Sequence, residues 1–240
     1  GKRAYGGQLA AQTLAAACRT VPADRPPTNM HLQFLRAGDA ATPVRYTVTR
    51  VYDGRTAATR RVDSYQGERL LTTASVSFAA TLPGPEHGHR GSPPGDPETL
   101  ARTGPAGPAP SLPLDELDIR ISDTGTGTGF VRRLWWRTTV RLPDDPLVHT
   151  LIAVYVTDVY MIDPALRVHG HSMAARTHRS GTTDTAIWLH RPVRADRWNL
   201  LETSSPAAAR GRGVVTGSLI GVDGAIAATL VQEGLIAERE

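Results

Sequence analysis

One arrangement occurs twice along this chain: a helix-forming stretch, a strand, then three more strands with a glycine turn before the last. In the first half the helix is YGGQLAAQTLAAACRTV, Tyr5 to Val21, opened by Gly6-Gly7 and dominated by alanine. Strand-like segments follow at His31–Arg36, Val44–Val51, Thr56–Tyr65 and Arg69–Ala79. Asp53-Gly54 and Gln66-Gly67 sit between them as tight-turn signals, so the last three form an antiparallel meander. In the second half, strands at Leu117–Ile121 and Leu134–Leu142 precede a helix, and strands follow at Thr182–Arg191, Trp198–Thr203, Gly213–Gly221 and Ala225–Ile236. Asp223-Gly224 joins the last two as a hairpin. HLQFLR ending at Arg36 resembles IWLHR ending at Arg191, and aligning Gly67 on Gly224 puts Ser75 opposite Gln232. Two copies of a helix with a meander predict an internally duplicated α+β fold, whose sheets can pair along their edges.

The second helix, DPLVHTLIAVYVTDVYMIDPAL from Asp145 to Leu166, is apolar on every face, which predicts burial all round. Its interior nevertheless carries Asp158. A buried charge is costly unless it is paired or hydrogen-bonded, so Asp158 is either a structural carboxylate held by neighbouring donors or a working group. Gln232, among apolar neighbours in the last strand, is a second polar residue, opposite which the first half offers only a serine. No GxSxG nucleophile elbow occurs, and Cys18, the only cysteine, sits in the alanine-rich helix. A desolvated carboxylate makes a stronger base than an exposed one.

With 240 residues, 40% hydrophobic and 21% charged, the chain has the composition of an ordinary soluble globular protein. No apolar run reaches the roughly 18 residues of a membrane span. The single cysteine excludes an internal disulfide and suits a reducing cytoplasm. A net charge of +4 is carried almost wholly by arginine, Lys2 being the only lysine. Arginine suits a phosphate-bearing ligand, although a GC-rich genome would give the same bias. The arginines are dispersed rather than clustered with stacking aromatics, which argues against nucleic acid. From Leu82 to Pro113 prolines and glycines predict a mobile linker. His87 and His89 within it lack the further ligands a metal requires, so no metal is expected.

Six motifs in order, YGGQLAAQTL, LRAGD (Leu35–Asp39), DGRTAATRRV (Asp53–Val62), TDTAIWLHRP (Thr183–Pro192), SSPAAARG (Ser204–Gly211) and VQEG (Val231–Gly234), resemble the acyl-CoA thioesterase II family. The resemblance implies a double hotdog, with each repeat wrapping an antiparallel sheet around a long central helix. The boundaries it predicts are an N-terminal repeat at 1–81 with its first strand missing, a linker at 82–113 and a C-terminal repeat at 114–240. It implies hydrolysis of acyl-CoA to fatty acid and CoA, within fatty acid metabolism, by water held by an Asp, a Thr and a Gln, without a cofactor. Asp158 in YVTDVYM, Thr182 in TTDTAIW and Gln232 in VQEG occupy those positions. The family's His and Ser after the second motif aspartate are here Thr185 and Ala186. Strand alternation points Asp184 to the same face as Thr182, and Asp184 is expected to be structural or supporting. A homodimer or tetramer with a polar contact through the RTAATRRV face is expected. The rival readings are a hotdog hydratase or dehydratase, for which His149 stands too far from Asp158, and a non-catalytic acyl-thioester binding protein.

Overall fold

The computed structural model describes residues 3–91, 93–103 and 115–239. Helix α1 (Gly6–Cys18) buries Leu9, Ala10, Thr13, Leu14 and Ala17, a small-residue face that packs on strands β1 (Pro27–Phe34), β2 (Arg45–Asp53), β3 (Ala57–Gln66) and β4 (Arg69–Ala79). The β3–β4 hairpin turns at Gly67, whose φ of 57° is the left-handed conformation that glycine adopts without strain. The later elements are β5 (Leu117–Thr124), β6 (Val131–Thr138), α2 (Pro146–Val156), α3 (Asp163–Arg167), β7 (His178–Thr182), β8 (Asp184–Leu189), β9 (Asn199–Ala209), β10 (Arg212–Gly221) and β11 (Ile226–Glu238). The eleven strands belong to one antiparallel sheet in the order β2-β3-β4-β1-β8-β11-β10-β9-β6-β5, with β7 also paired to β11. The halves meet at β1 and β8, from Asn29 opposite Trp188 to Gln33 opposite Asp184. Helices α1 and α2 pack against each other, and a single core cluster runs from Leu14 and Phe78 to Trp136 and Leu230.

Five expectations are corrected. The helix predicted over Asp145–Leu166 stops at Val156 and resumes as α3, with Tyr160 left-handed at φ 54° between them. Pro164 is the reason: a proline ring clashes with the carbonyl four residues earlier, so an unbroken helix could not pass Tyr160. Strand β9 continues past Thr203 through Pro206, because a register shift between Val214 and Thr216 on β10 spares the ladder the proline's missing N–H. Arg60, in the stretch expected to face outward, is fully buried. Its guanidinium donates to the Thr20 hydroxyl at 2.8 Å, the Thr20 carbonyl at 3.0 Å and the Tyr52 carbonyl at 3.0 Å, tying the end of α1 to the β2–β3 hairpin.

The stretch from Leu82, expected to be mobile, is docked against the second half as far as residue 103. Ile226 N–H donates to the Gly88 carbonyl at 2.8 Å, Arg90 N–H to Gly224 at 2.9 Å, and Arg191 Nη2 to His87 at 2.8 Å. A turn of 3-10 helix at Pro97–Thr99 is capped by Asp96 and accepts Arg120 Nη1 on the Pro97 carbonyl at 2.8 Å. Residues 92 and 104–113 of that stretch lie outside the described residues.

The pairing of the strands also moves the internal alignment by one residue. His31 opposes both Ala186 and Ser75, while Ala186 opposes Val231, so Ser75 corresponds to Val231 and Val76 to Gln232. The turn glycines misled because the second turn is one residue longer: Gln66 pairs with Arg69 across two residues, whereas Gly221 N–H donates to the Ala225 carbonyl across three. Where the second half has Thr185 and Gln232, the first has Met30 and Val76.

Candidate active site

The N-terminus of α1 meets the C-terminal end of α2. Tyr5, just ahead of α1, donates its hydroxyl to the Tyr155 carbonyl at 2.9 Å, and the two rings meet edge to face at 4.7 Å. Such contact needs glycine at position 7, since a Cβ there would run into the Tyr155 carbonyl. Gly6 is as close to the turn that follows α2: an added Cβ would stand 2.6 Å from Asp158 Oδ2. The unpaired amides of the first turn of α1 therefore face the Asp158 carboxyl, and Gly7 N–H donates to it.

Asp158 lies just beyond α2, not inside a helix as the sequence predicts. Thr182 Oγ1 is 3.1 Å from Asp158 Oδ1 and 3.4 Å from Gln232 Oε1. A hydroxyl has one proton to give, and the nearer carboxylate takes it. The Gln232 oxygen then remains free to accept from another group. On its other side Gln232 Nε2 donates to Thr185 Oγ1 at 3.2 Å, with Gln232 only 1% and Thr185 3% exposed. Asp158 keeps part of its surface open while its carboxyl is enclosed. Burial pushes its pKa up to about 6, and hydrogen bonds from Thr182, Gly7 N–H and Gln232, with the charge of Arg3, hold it from rising further.

A bulge organises the strand side of this cluster. Thr182 opposes Gly234 and Ala186 opposes Val231, so three residues, Thr183 to Thr185, lie against two, Gln232 and Glu233. An extra residue reverses the alternation of faces. Thr182 and Thr185 consequently both reach Gln232, whereas in a regular strand Thr182 and Asp184 would share a face. Asp184 instead accepts the backbone N–H of Glu233 at 2.9 Å, a supporting role.

The structure thus brings together all three residues picked from the sequence, Asp158, Thr182 and Gln232. Residues 1–79 match the family model described as acyl-CoA thioesterase N-terminal domain, and residues 90–236 match the acyl-CoA thioesterase C-terminal domain. The chain belongs to the acyl-CoA thioesterase family. It is 28% identical to acyl-CoA thioesterase 2 of Haemophilus influenzae, over 98% of this chain and 88% of that one. A solved structure of an acyl-CoA thioesterase II from Mycobacterium marinum is 30% identical, with a TM-score of 0.86 over 98% of this chain and 90% of that one. A protein of unknown function from Alicyclobacillus acidocaldarius, whose fold is described as hot dog, is 18% identical with a TM-score of 0.79, covering 98% of this chain and 88% of its own. The fold is therefore a hotdog fold, an antiparallel sheet with few helices.

Two features of the cluster escape a reading of the sequence as a family member. Gly6 and Gly7 look like a helix opening, yet they are where α1 touches Asp158 and Tyr155. Thr185 looks like a departure from a motif, yet it is the partner of Gln232. His149, weighed as a partner for Asp158, sits in the first turn of α2, at the far end of that helix from Asp158. There its Nδ1 accepts Ala195 N–H at 3.1 Å.

Proposed function

We propose that this family member hydrolyses acyl-CoA thioesters to free fatty acid and CoA, using a water activated by Asp158 and held by Thr182 and Gln232. The observation that supports this reading is the meeting of three oxygens, Asp158 Oδ1, Thr182 Oγ1 and Gln232 Oε1, within 3.1 and 3.4 Å of the central hydroxyl. A water among them would donate one proton to Asp158 and the other to Gln232 Oε1. Above a pKa of about 6 the carboxylate is ionised, and its desolvation makes it a stronger base than an exposed aspartate. As the water oxygen attacks the thioester carbonyl carbon, its proton passes to Asp158. Collapse of the tetrahedral species then breaks the C–S bond, and the departing CoA thiolate takes that proton back. Thr182 and Gln232 are neutral, so they orient the water without competing for the proton.

We read the continuous sheet as two hotdog repeats, residues 1–81 and 114–240, each around its own helix, with 82–113 as the connection. The pairing of β1 with β8 supports that division. On this reading one chain stands for a dimer of single repeats. A homodimer or tetramer of the duplicated chain would cover edge strand β2, where Val51 and Tyr52 are exposed. A reducing cytoplasm suits its lone Cys18. No helix among the described residues is long and apolar enough to cross a membrane.

The test is thiol release from a series of acyl-CoAs of increasing chain length by the purified chain, beside its Asp158→Asn variant. Hydrolysis by the wild type with a loss of about a hundredfold or more in the variant supports the reading. A variant that keeps more than about a tenth of the rate would overturn it.

A further inference from the structure

We propose that Thr185 is a positioning residue that holds the Gln232 amide in the plane needed for hydrolysis. The inference rests on the role given to Gln232 above. Gln232 has three rotatable side-chain bonds, and in a site that must fix a water they have to be frozen. One end of its amide faces Thr182 at 3.4 Å and the other donates to Thr185 at 3.2 Å. A side-chain hydrogen bond from Gln232 also stabilises the Asp158 carboxylate. What remains is the tilt of the amide plane, and the Thr185 hydroxyl is the buried partner that sets it.

The first half of the sheet supplies an internal control. The corresponding positions there are Met30 and Val76, 1% and 0% exposed, an apolar pair in the same ladder. Folding this sheet therefore needs neither a hydroxyl nor an amide at these places. The three-against-two bulge is common to both halves: Thr28 to Met30 lie against Val76 and Ser77 as Thr183 to Thr185 lie against Gln232 and Glu233. On the same backbone pattern, what sets the second half apart is the buried polar pair Thr185 and Gln232.

The experiment is steady-state thiol release from hexanoyl-CoA and palmitoyl-CoA by wild type, Thr185→Val, Thr185→Ser, Gln232→Ala and the Gln232→Ala/Thr185→Val double variant. Thr185→Val removes the acceptor at nearly constant shape. It is expected to lower kcat about tenfold to a hundredfold with KM within about twofold. Thr185→Ser, which keeps the hydroxyl, should return kcat to within about threefold of wild type. In the Gln232→Ala background the valine should cost nothing further, because there is no amide left to hold. An unchanged kcat in Thr185→Val, an effect on KM alone, or a full additional loss in the double variant would overturn the proposal. Should Thr185→Val melt too early to assay, the serine variant and a Thr185→Ala/Gln232→Ala cycle measured at low temperature decide in the same way. Failure of the hydrolysis reading itself would show separately, as an Asp158→Asn variant that keeps its rate.

Discussion

A Cβ on Gly6 would lie 2.6 Å from Oδ2 of Asp158, closer than carbon and oxygen can rest without a bond. The nearest ring atoms of Phe34, 3.3 Å away, close off retreat on the other side. Gly6→Ala should consequently push the carboxyl off Thr182 while leaving the helix sound. The expected result is a loss of at least about tenfold in kcat with little change in melting temperature. Steady-state kinetics and a thermal melt on the same preparation check it.

Asp158→Asn separates chemistry from stability with opposite signs. The carboxyl has a pKa of about 6 in the folded chain against 3.8 ordinarily, so between those values the folded state holds a proton that the unfolded state has released. Wild-type stability accordingly falls as pH rises from about 4 to about 6 and then levels, a loss of up to about 3 kcal/mol. The asparagine variant does not titrate there and should be the more stable protein at pH 8, with the advantage gone near pH 4. Denaturant melts across that range check the sign.

On the proposed mechanism the same ionisation governs rate. A base that must be unprotonated gives kcat/KM a rising acid limb with its midpoint near pH 6. Replacing Arg3 by Gln removes a positive charge that favours the carboxylate, and the midpoint should move upward. A pH–rate profile of the two proteins is the measurement, and a downward shift would contradict the assignment of Asp158 as base.

Arg60→Leu should destabilise by about 2–4 kcal/mol, because it leaves the carbonyls of Thr20 and Tyr52 without their donor inside the protein. The melting temperature should drop by about 5–10 °C. Folded enzyme should keep its kcat, since Arg60 touches α1 at the end opposite Gly6.

Replacing residues 84–103 with a flexible Gly/Ser segment of equal length should lower the melting temperature by several degrees without abolishing hydrolysis. The exchange removes the strand-like bonds of Gly88 and Arg90 to the β10–β11 hairpin and the 3-10 turn beside Arg120. An unaltered melt would mean that the docked stretch contributes nothing beyond connection.

Asp158, Thr182 and Gln232 were legible in the sequence because each is a polar residue among apolar neighbours or stands in a motif. The meander, the glycine turns and the α+β class followed from alternation and turn chemistry, which are local properties. What was not legible is relational. Whether Thr182 shares a face with Asp184 or with Thr185 depends on how many residues of β11 lie opposite, and no count within TTDTA contains that number. The one-residue slip between Ser75 and Val76 comes from the extra residue in the β10–β11 turn, which the signals Gln66-Gly67 and Asp223-Gly224 do not show. Pro164 and Pro206 show the two ways a proline misleads: the first ended a helix that apolar content seemed to prolong, and the second was absorbed by a bulge where it seemed to end a strand.

The Gly7 amide comes from the first half of the chain, and the carboxyl it holds comes from the second. The first half thus supplies a backbone donor, and not an acid, at this contact. Its inheritance is constrained by chemistry it does not perform: a transplanted N-terminal half from a distant relative would be silent unless two small residues arrived at its first helical turn. Gene fragments encoding the halves separately could fold their own strands, yet neither product would contain a complete reaction centre until β1 had found β8.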